Sequence, residues 1–109
     1  MSFSIQKVEE KLLVSIHQGI DLSNTQLFEK ALGEKIAEGI RIFILDLSRV
    51  NYLDSSAVGM IVRIHRLLKE KNGEIILACC GENLQKLFQL LNFQKYFKMC
   101  KTLEEAFNC

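Results

Sequence analysis

The sequence contains no proline, and no stretch has the composition of a linker, an internal repeat or a low-complexity tail. No apolar run approaches the roughly 18 residues that a membrane-spanning helix needs. Positions 1–7 lack the apolar core of a secretory signal peptide. A chain of 109 residues without these features predicts a single domain over positions 1–109, located in the cytoplasm.

The chain also lacks a marked excess of charge of either sign. It has 14 Lys and Arg residues against 13 Asp and Glu residues, so its formal net charge is +1. Proteins that bind nucleic acids or acidic membranes usually carry a basic patch or a clear positive charge. The balance predicts that neither a nucleic acid nor a membrane is a direct partner.

Residues that perform catalysis or bind metals are scarce. The four cysteines show no C-x-x-C spacing, and the adjacent Cys79 and Cys80 are expected to be buried or half-buried free thiols, with a redox role as the alternative. There are two histidines, His17 and His65, and we expect His65 at the boundary of a helix stripe, not as a general base. No nucleophile–base pair and no glycine-rich phosphate loop is present. We therefore expect no enzymatic activity, no catalytic residue, no metal site and no cofactor.

Apolar runs that alternate with helical patterns predict an α/β domain. Strands are expected at 3–8, 12–16, 41–47, 74–80 and within 93–100. The first two strands are expected to form a hairpin, and the next two to form a right-handed βαβ crossover. Cys79 and Cys80 would then point to opposite faces of a strand. The prediction is a small mixed sheet of about four to five strands with a parallel centre, covered by one layer of about four helices.

Apolar stripes and end signals predict the helices. The first begins at a capping box formed by Ser23 and Gln26 and ends at Gly39, which suits a left-handed conformation. The others are expected at about 55–71, 82–91 and 103–107. The residues predicted to face inward are Leu27, Phe28, Ala31, Leu32 and Ile36; Ala57, Met60, Ile61, Ile64, Leu67 and Leu68; and Leu84, Leu87, Phe88 and Leu91.

Two serines follow a buried strand, at the start of the second predicted helix. Sites in α/β sheets gather beyond the carboxyl ends of strands. Asp54 is expected to cap the helix, with Ser55 and Ser56 as its first residues. A helix N-terminus tolerates added negative charge, so the hydroxyls are expected to be modified by another protein. The alternative is that all three residues only cap the helix.

Ser56, Gly59 and Arg63 fall in one row along this helix. Glycine is unfavourable inside a helix by about 1 kcal/mol relative to alanine. We interpret Gly59 as an absent side chain that lets a second protein approach the Ser56 hydroxyl.

These segments resemble the STAS domain of bacterial anti-sigma factor antagonists. The resemblance covers essentially the whole chain and includes the Gly19-Ile20-Asp21 loop. It is carried by Leu45-Asp46-Leu47-Ser48, Leu53-Asp54-Ser55-Ser56-Ala57-Val58-Gly59 and Gly73-Glu74-Ile75-Ile76-Leu77. The family usually has glycine where this chain has Ala57, and its G-x-L-D loop is one residue longer.

The resemblance implies a regulatory phosphoprotein. In that family the second serine of the motif, here Ser56, is phosphorylated by an anti-sigma factor that is also a serine kinase. The unmodified antagonist binds the kinase and frees a sigma factor, and a serine phosphatase resets the switch. Ser55 is the second candidate acceptor. We expect partner contacts at Asp21, Asp54, Ser55, Ser56, Gly59 and Arg63.

Two other functions remain open from the sequence. The first is a non-switching STAS adaptor, a scaffold subunit of a transport or stress-sensing complex. The second is a small-ligand module that holds a nucleotide or lipid near Asp21 and Ser56. A phosphoacceptor Asp54 of receiver type is disfavoured, because the chain lacks the paired carboxylates that hold Mg²⁺.

Overall fold

The computed structural model describes residues 3–17 and 24–109, and it forms one five-stranded sheet with four α-helices. The strands are β1 (Phe3–Val8), β2 (Lys11–Ile16), β3 (Ile42–Asp46), β4 (Glu74–Ala78) and β5 (Lys98–Cys100). The helices are α1 (Thr25–Ala37), α2 (Ser55–Glu70), α3 (Glu82–Leu90) and α4 (Leu103–Phe107), and a 3-10 turn at Phe93–Lys95 precedes β5. The predicted fold class is confirmed.

The sheet has the order β1-β2-β3-β4-β5, which follows the chain. β1 and β2 are antiparallel, with Val8 opposite Lys11, so Glu9 and Glu10 alone form the hairpin turn. Glu9 adopts a positive φ of 58°, which such a tight connection requires. The pairs β2–β3, β3–β4 and β4–β5 are all parallel, as predicted for the centre of the sheet.

Both faces of the sheet are covered, so the predicted single layer of helices was wrong. Phe43 and Leu45 of β3 lie in a large core with residues of α1, α2 and α3. Ile44, between them, points to the other face, where it packs in a second core with Ala106 of α4. A strand that is apolar at consecutive positions must be covered twice, and α4 supplies the second cover.

α1 ends as the sequence predicts and begins one residue later than expected. Gly39 has φ 102°, and its N–H donates to the carbonyl of Ile36, while the N–H of Ile40 donates to Lys35. This pair of bonds is the Schellman arrangement that favours glycine. Asn24 occupies the N-cap position and its side chain makes no capping bond. Ser23 of the predicted capping box lies outside the described residues.

The inward faces of the helices differ from prediction at three leucines. Leu27 is 60 % exposed, Leu67 is 38 % exposed and Leu91 is 41 % exposed. In α2 the buried face includes His65, which lies on the opposite flank of the stripe from Leu67. Leu27 and Leu67 lie at the margins of their apolar stripes, and Leu91 is the C-cap residue that follows α3.

His65 is held in a single neutral form by its surroundings. Its Nδ1 accepts the N–H of Ile75 at 3.1 Å, so Nε2 carries the proton toward the Tyr96 carbonyl 3.0 Å away. The ring stacks on Phe97 with centroids 4.2 Å apart. Burial lowers the pKa of His65 below its ordinary value of 6.5. His65 lies at the edge of the helix stripe, as predicted, but it is buried there because the start of β4 and the Tyr96–Phe97 segment enclose this flank.

β4 ends at Ala78, two residues earlier than predicted. Cys79 then adopts φ 63°, which turns the chain out of the sheet before α3. The expectation that Cys79 and Cys80 occupy a strand was therefore wrong. In residues 3–17 and 24–109, no helix combines the length and the apolar character needed to cross a bilayer.

Candidate functional site

The loop after β3 is fixed to the domain along its length. Leu47, Val50 and Leu53 are all buried in the large core. The N–H of Leu47 donates to the carbonyl of Ala78 at 3.0 Å, and the N–H of Val50 donates to Leu47 at 3.0 Å. These anchors alternate with exposed residues, so the loop presents a polar surface on an apolar base. The start of α2 is therefore held in a fixed position.

Asp54 caps α2, as the sequence predicts. Its backbone is extended, and its Oδ1 accepts the N–H of Ala57 at 2.9 Å. The same oxygen accepts the hydroxyl of Ser56 at 2.6 Å. One carboxylate oxygen thus receives a backbone amide and a side-chain hydroxyl at once, which fixes the orientation of Ser56. The short distance is typical of a hydrogen bond to an ionised acceptor.

The two serines differ in their surroundings. Ser55 is exposed, while Ser56 is half-buried beside Asp54 and lies outside the apolar core. Both lie in the first turn of α2, where backbone N–H groups lack partners within the helix and the helix dipole favours negative charge. Ser56 alone combines this position with a hydrogen bond to a carboxylate.

Arg63 reaches across to α1 and fills the space above Gly59. Its Nε and Nη2 donate to the two carboxylate oxygens of Glu29 at 3.0 and 2.8 Å. A Cβ on Gly59 would lie 3.2 Å from Arg63 Nη1. Gly59 therefore makes room for the guanidinium of this chain, whereas the sequence had suggested an open approach for a partner. The hydrogen bonds from Arg63 lower the pKa of Glu29, while burial acts in the opposite direction.

The structure brings the predicted residues together in two groups. Asp54 and Ser56 are in direct contact, and Gly59 and Arg63 lie on the same face of α2, Gly59 one turn after Ser56 and Arg63 another turn beyond. Asp21, the remaining predicted contact, lies outside the described residues together with its Gly19-Ile20-Asp21 loop.

Sequence reasoning missed two residues at this end of the sheet. Glu29 is 34 positions away from Arg63, and no local spacing indicates a pair between two separate helices. Tyr52, two positions before Asp54, is 70 % exposed. A large aromatic side chain on the surface beside a candidate site is a feature of protein interfaces, and its place in a polar loop could have indicated this.

Other features lie away from Ser56. A concave region of about 780 Å³ lies between α3 and β5, and its lining includes Cys80, Phe88 and Met99 but none of the predicted site residues. No group of three or more His, Cys, Asp or Glu side chains within residues 3–17 and 24–109 is arranged to hold a metal ion.

The chain matches the family model described as the STAS domain over residues 2–106. It is 32 % identical over 90 residues to a STAS-domain containing protein of Pseudomonas aeruginosa, covering 83 % of this chain and 88 % of that protein. It is 30 % identical over 97 residues to the anti-sigma-F factor antagonist RsfB of Mycobacterium tuberculosis, covering 86 % of this chain and 76 % of RsfB.

The fold is shared with the Bacillus anti-sigma factor antagonist SpoIIAA in both of its forms. The unphosphorylated form has a TM-score of 0.81 at 24 % identity and covers 97 % of this chain and 94 % of SpoIIAA. The phosphorylated form has a TM-score of 0.79 at 23 % identity and covers 97 % of this chain and 96 % of SpoIIAA. With the family match over nearly all of its length, the chain belongs to the STAS domain family.

Proposed function

We propose that this chain is an anti-sigma factor antagonist that is switched by phosphorylation of Ser56. In its unphosphorylated form it binds an anti-sigma factor serine kinase, and a sigma factor is freed. A serine phosphatase removes the phosphate and restores binding. The proposal is for a single regulatory STAS domain in the cytoplasm that performs no catalysis and contacts neither nucleic acid nor membrane.

The observation that carries this proposal is the hydrogen bond from Ser56 to Asp54 at the start of α2. The bond orients a half-buried hydroxyl at the polar end of a helix, beside an exposed loop. The names of the relatives agree with it, since RsfB is an anti-sigma-F factor antagonist. The fold likeness to both forms of SpoIIAA supports the view that one fold accommodates the unphosphorylated and the phosphorylated state of that protein.

Phosphorylation of Ser56 would change the electrostatics of the site in two opposing ways. The phosphate would add a charge of about −1.5 to −2, which the helix dipole and the amides of the first turn favour. It would also replace the hydroxyl proton of Ser56 and so remove the hydrogen bond that Asp54 now accepts. Two anionic groups would then face each other. The half-buried position lets the phosphate turn toward solvent, so the fold is retained.

Arg63 lies where it would respond to such a phosphate. Its guanidinium lies above Gly59, one helical turn from Ser56, and it is held there by Glu29. A dianion competes with a carboxylate for a guanidinium, since phosphate accepts the same paired N–H donors. The phosphorylated surface would then differ in the position of Arg63 as well as in charge.

The partner surface that we propose surrounds Ser56. Asp54, Ser55, Gly59 and Arg63 belong to it, together with Asp21 from the preceding loop. An unpaired dianion buried in such an interface costs roughly 2–5 kcal/mol. Because each 1.4 kcal/mol is a factor of ten, binding would weaken about tens-fold to thousands-fold.

The modification is tested by incubating the protein with its cognate anti-sigma factor kinase and Mg-ATP. Mass spectrometry is expected to map one phosphate to Ser56, and Ser56→Ala is expected to abolish it. Ser55→Ala and Ser48→Ala are matched controls, since both serines are exposed in the same region. Undiminished phosphorylation of Ser56→Ala would contradict the proposal.

The switch is tested separately by measuring the affinity of the purified kinase for wild type, Ser56→Asp and Ser56→Asn. We expect Ser56→Asp to lose at least tens-fold in affinity, and Ser56→Asn to lose much less because it adds no charge. Equal affinity of all three proteins would indicate a scaffold that binds without switching.

A further inference from the structure

Two thiols meet on the face of the sheet opposite to α2. Cys100 Sγ, at the end of β5, lies 3.4 Å from Cys109 Sγ, which follows α4. All four cysteines are free, and these two are separated by residues 101–108, which include α4 and its caps. The sequence gives no sign of this pair, because it has no familiar spacing.

The approach of the two sulfurs is set by contacts on both sides. Lys11 of β2 donates from Nζ to the carbonyls of Phe107 and Cys109 at 2.6 and 3.3 Å, which holds the residues after α4 against the sheet. The carbonyl of Cys100 accepts the N–H of Cys79 at 3.1 Å, which fixes the end of β5.

α4 itself is held at its start and along its inner face. Thr102 Oγ1 accepts the N–H of Glu105 at 3.1 Å, and Glu105 in turn accepts the N–H of Lys101 at 3.0 Å. Ala106 is fully buried against Ile44 and its neighbours in the second core. The helix therefore has little freedom to carry Cys109 away from Cys100.

We propose that Cys100 and Cys109 are an oxidation site at which a peroxide converts the thiol pair into an intramolecular disulfide. A disulfide has an S–S distance of about 2.05 Å, so the 3.4 Å contact must close by about 1.4 Å. Rotation of the exposed Cys109 side chain supplies such a movement without displacing β5. The site is independent of the function proposed for Ser56.

The reaction balances in two steps. The Cys109 thiolate attacks the terminal oxygen of the peroxide, the O–O bond breaks, and Cys109 becomes a sulfenic acid while an alcohol or water leaves. The Cys100 sulfur then attacks Cys109 Sγ, the S–S bond forms, and the sulfenic oxygen leaves as water with the remaining proton. Two thiols lose two electrons in total, and the peroxide gains them.

The exposure of the two residues assigns their order in this reaction. Cys109 is exposed and meets the oxidant, whereas Cys100 is buried. Burial, with the neighbouring Cys109, raises the pKa of Cys100 to about 11, so Cys100 is a slow first nucleophile. Cys80 is the internal comparison, because burial also raises its pKa to about 11 and it too has a neighbouring cysteine, Cys79, which adopts a positive φ of 63°.

The site is tested by titrating the purified protein with hydrogen peroxide and counting thiols after unfolding in denaturant. We expect loss of two of the four thiols, a mass decrease of about 2 Da, and a cross-link between the peptides that hold Cys100 and Cys109. The melting temperature should rise by about 5–15 °C, since a short loop is closed, and a reducing dithiol should reverse the rise. Phosphorylation of Ser56 by the kinase should proceed equally in the oxidised and reduced proteins.

Two variants separate this site from general oxidation. Cys109→Ser, at an exposed position, should abolish the cross-link and keep all three remaining thiols, whereas Cys80→Ser should leave it unchanged. Three outcomes would overturn the proposal: a gain of about 16 Da at Cys109 with no cross-link, a disulfide between Cys79 and Cys80, or a dimer joined through Cys109.

Discussion

The contact between Ser56 and Asp54 makes a quantitative prediction that needs no kinase. Replacing Ser56 with aspartate places a second carboxylate beside Asp54, at the position where a hydroxyl now donates at 2.6 Å. At a separation of roughly 5 Å, two unit charges repel by about 0.8 kcal/mol in water and about 3 kcal/mol at an effective dielectric constant of 20. Asp54 is half-buried, so we expect a repulsion of about 1–3 kcal/mol.

The helix start opposes this repulsion. A negative charge in the first turn of a helix is favoured by about 0.3–1 kcal/mol. The charge effect is therefore best measured as the free energy of unfolding of Ser56→Asp minus that of Ser56→Asn, since the two side chains have nearly the same shape. In the wild-type background we expect aspartate to be the less stable of the two. In an Asp54→Asn background we expect the sign to reverse.

Urea denaturation at neutral pH gives both differences from the transition midpoints, provided that the slopes agree. Ser55→Asp and Ser55→Asn form the matched control, because Ser55 is exposed and lies in the same first turn of α2. If Asp54→Asn changes the difference at position 56 by less than about 0.5 kcal/mol, the two sites are additive and the reasoning is refuted.

Two further predictions concern α2. Gly59→Ala is expected to stabilise the domain by up to about 1 kcal/mol, because alanine has the higher helix propensity. The new Cβ lies 3.2 Å from Arg63 Nη1 and crowds the ion pair with Glu29, so the gain in stability should be larger in a Glu29→Gln background. Equal gains in the two backgrounds, measured by urea denaturation, would show that the ion pair is not disturbed. For His65 the folded-state pKa lies below 6.5, so below about pH 6.5 the unfolded chain takes up a proton that the native ring refuses, and stability falls as the pH falls through this window. Replacing His65 with Gln should reduce the fall in melting temperature between about pH 7 and 5, whereas the control His17→Gln, at an exposed position, should leave that fall unchanged. An unchanged fall in His65→Gln would contradict the view that His65 causes the pH dependence.

The parts of the fold that the sequence predicted best are those with local causes. The start of α2 was placed at Ser55 because Asp54 is a good cap, and the end of α1 because Gly39 accepts a left-handed conformation. Both depend on neighbours within a few positions along the chain. The hydrogen bond from Ser56 to Asp54 is also local, since the two residues are two positions apart and Asp54 is the predicted cap.

The errors have non-local causes. Leu67 and His65 lie on opposite flanks of one stripe, and only the position of Phe97 and Ile75 in space decides which flank is covered. Two other features likewise depend on how distant segments meet: the face of the sheet on which α4 packs, and the ion pair between Glu29 and Arg63. A period of 3.6 residues gives the direction of a side chain on its own helix but not which element lies there.

Because the site is rigid, a phosphate on Ser56 would change the free energy of partner binding more than the structure of the domain. Leu47, Val50 and Leu53 anchor the loop in the core, and Asp54 caps the helix, so the part of the chain from Leu47 to Ala57 is held in place around Ser56. A phosphate on Ser56 would relieve the repulsion from Asp54 by turning into water, where two such charges interact weakly. A docked partner removes that water, and the same charge then becomes expensive. In the proposed switch, the difference in affinity between the two forms would therefore arise in the complex, and a partner that left Ser56 in contact with solvent would bind both forms alike.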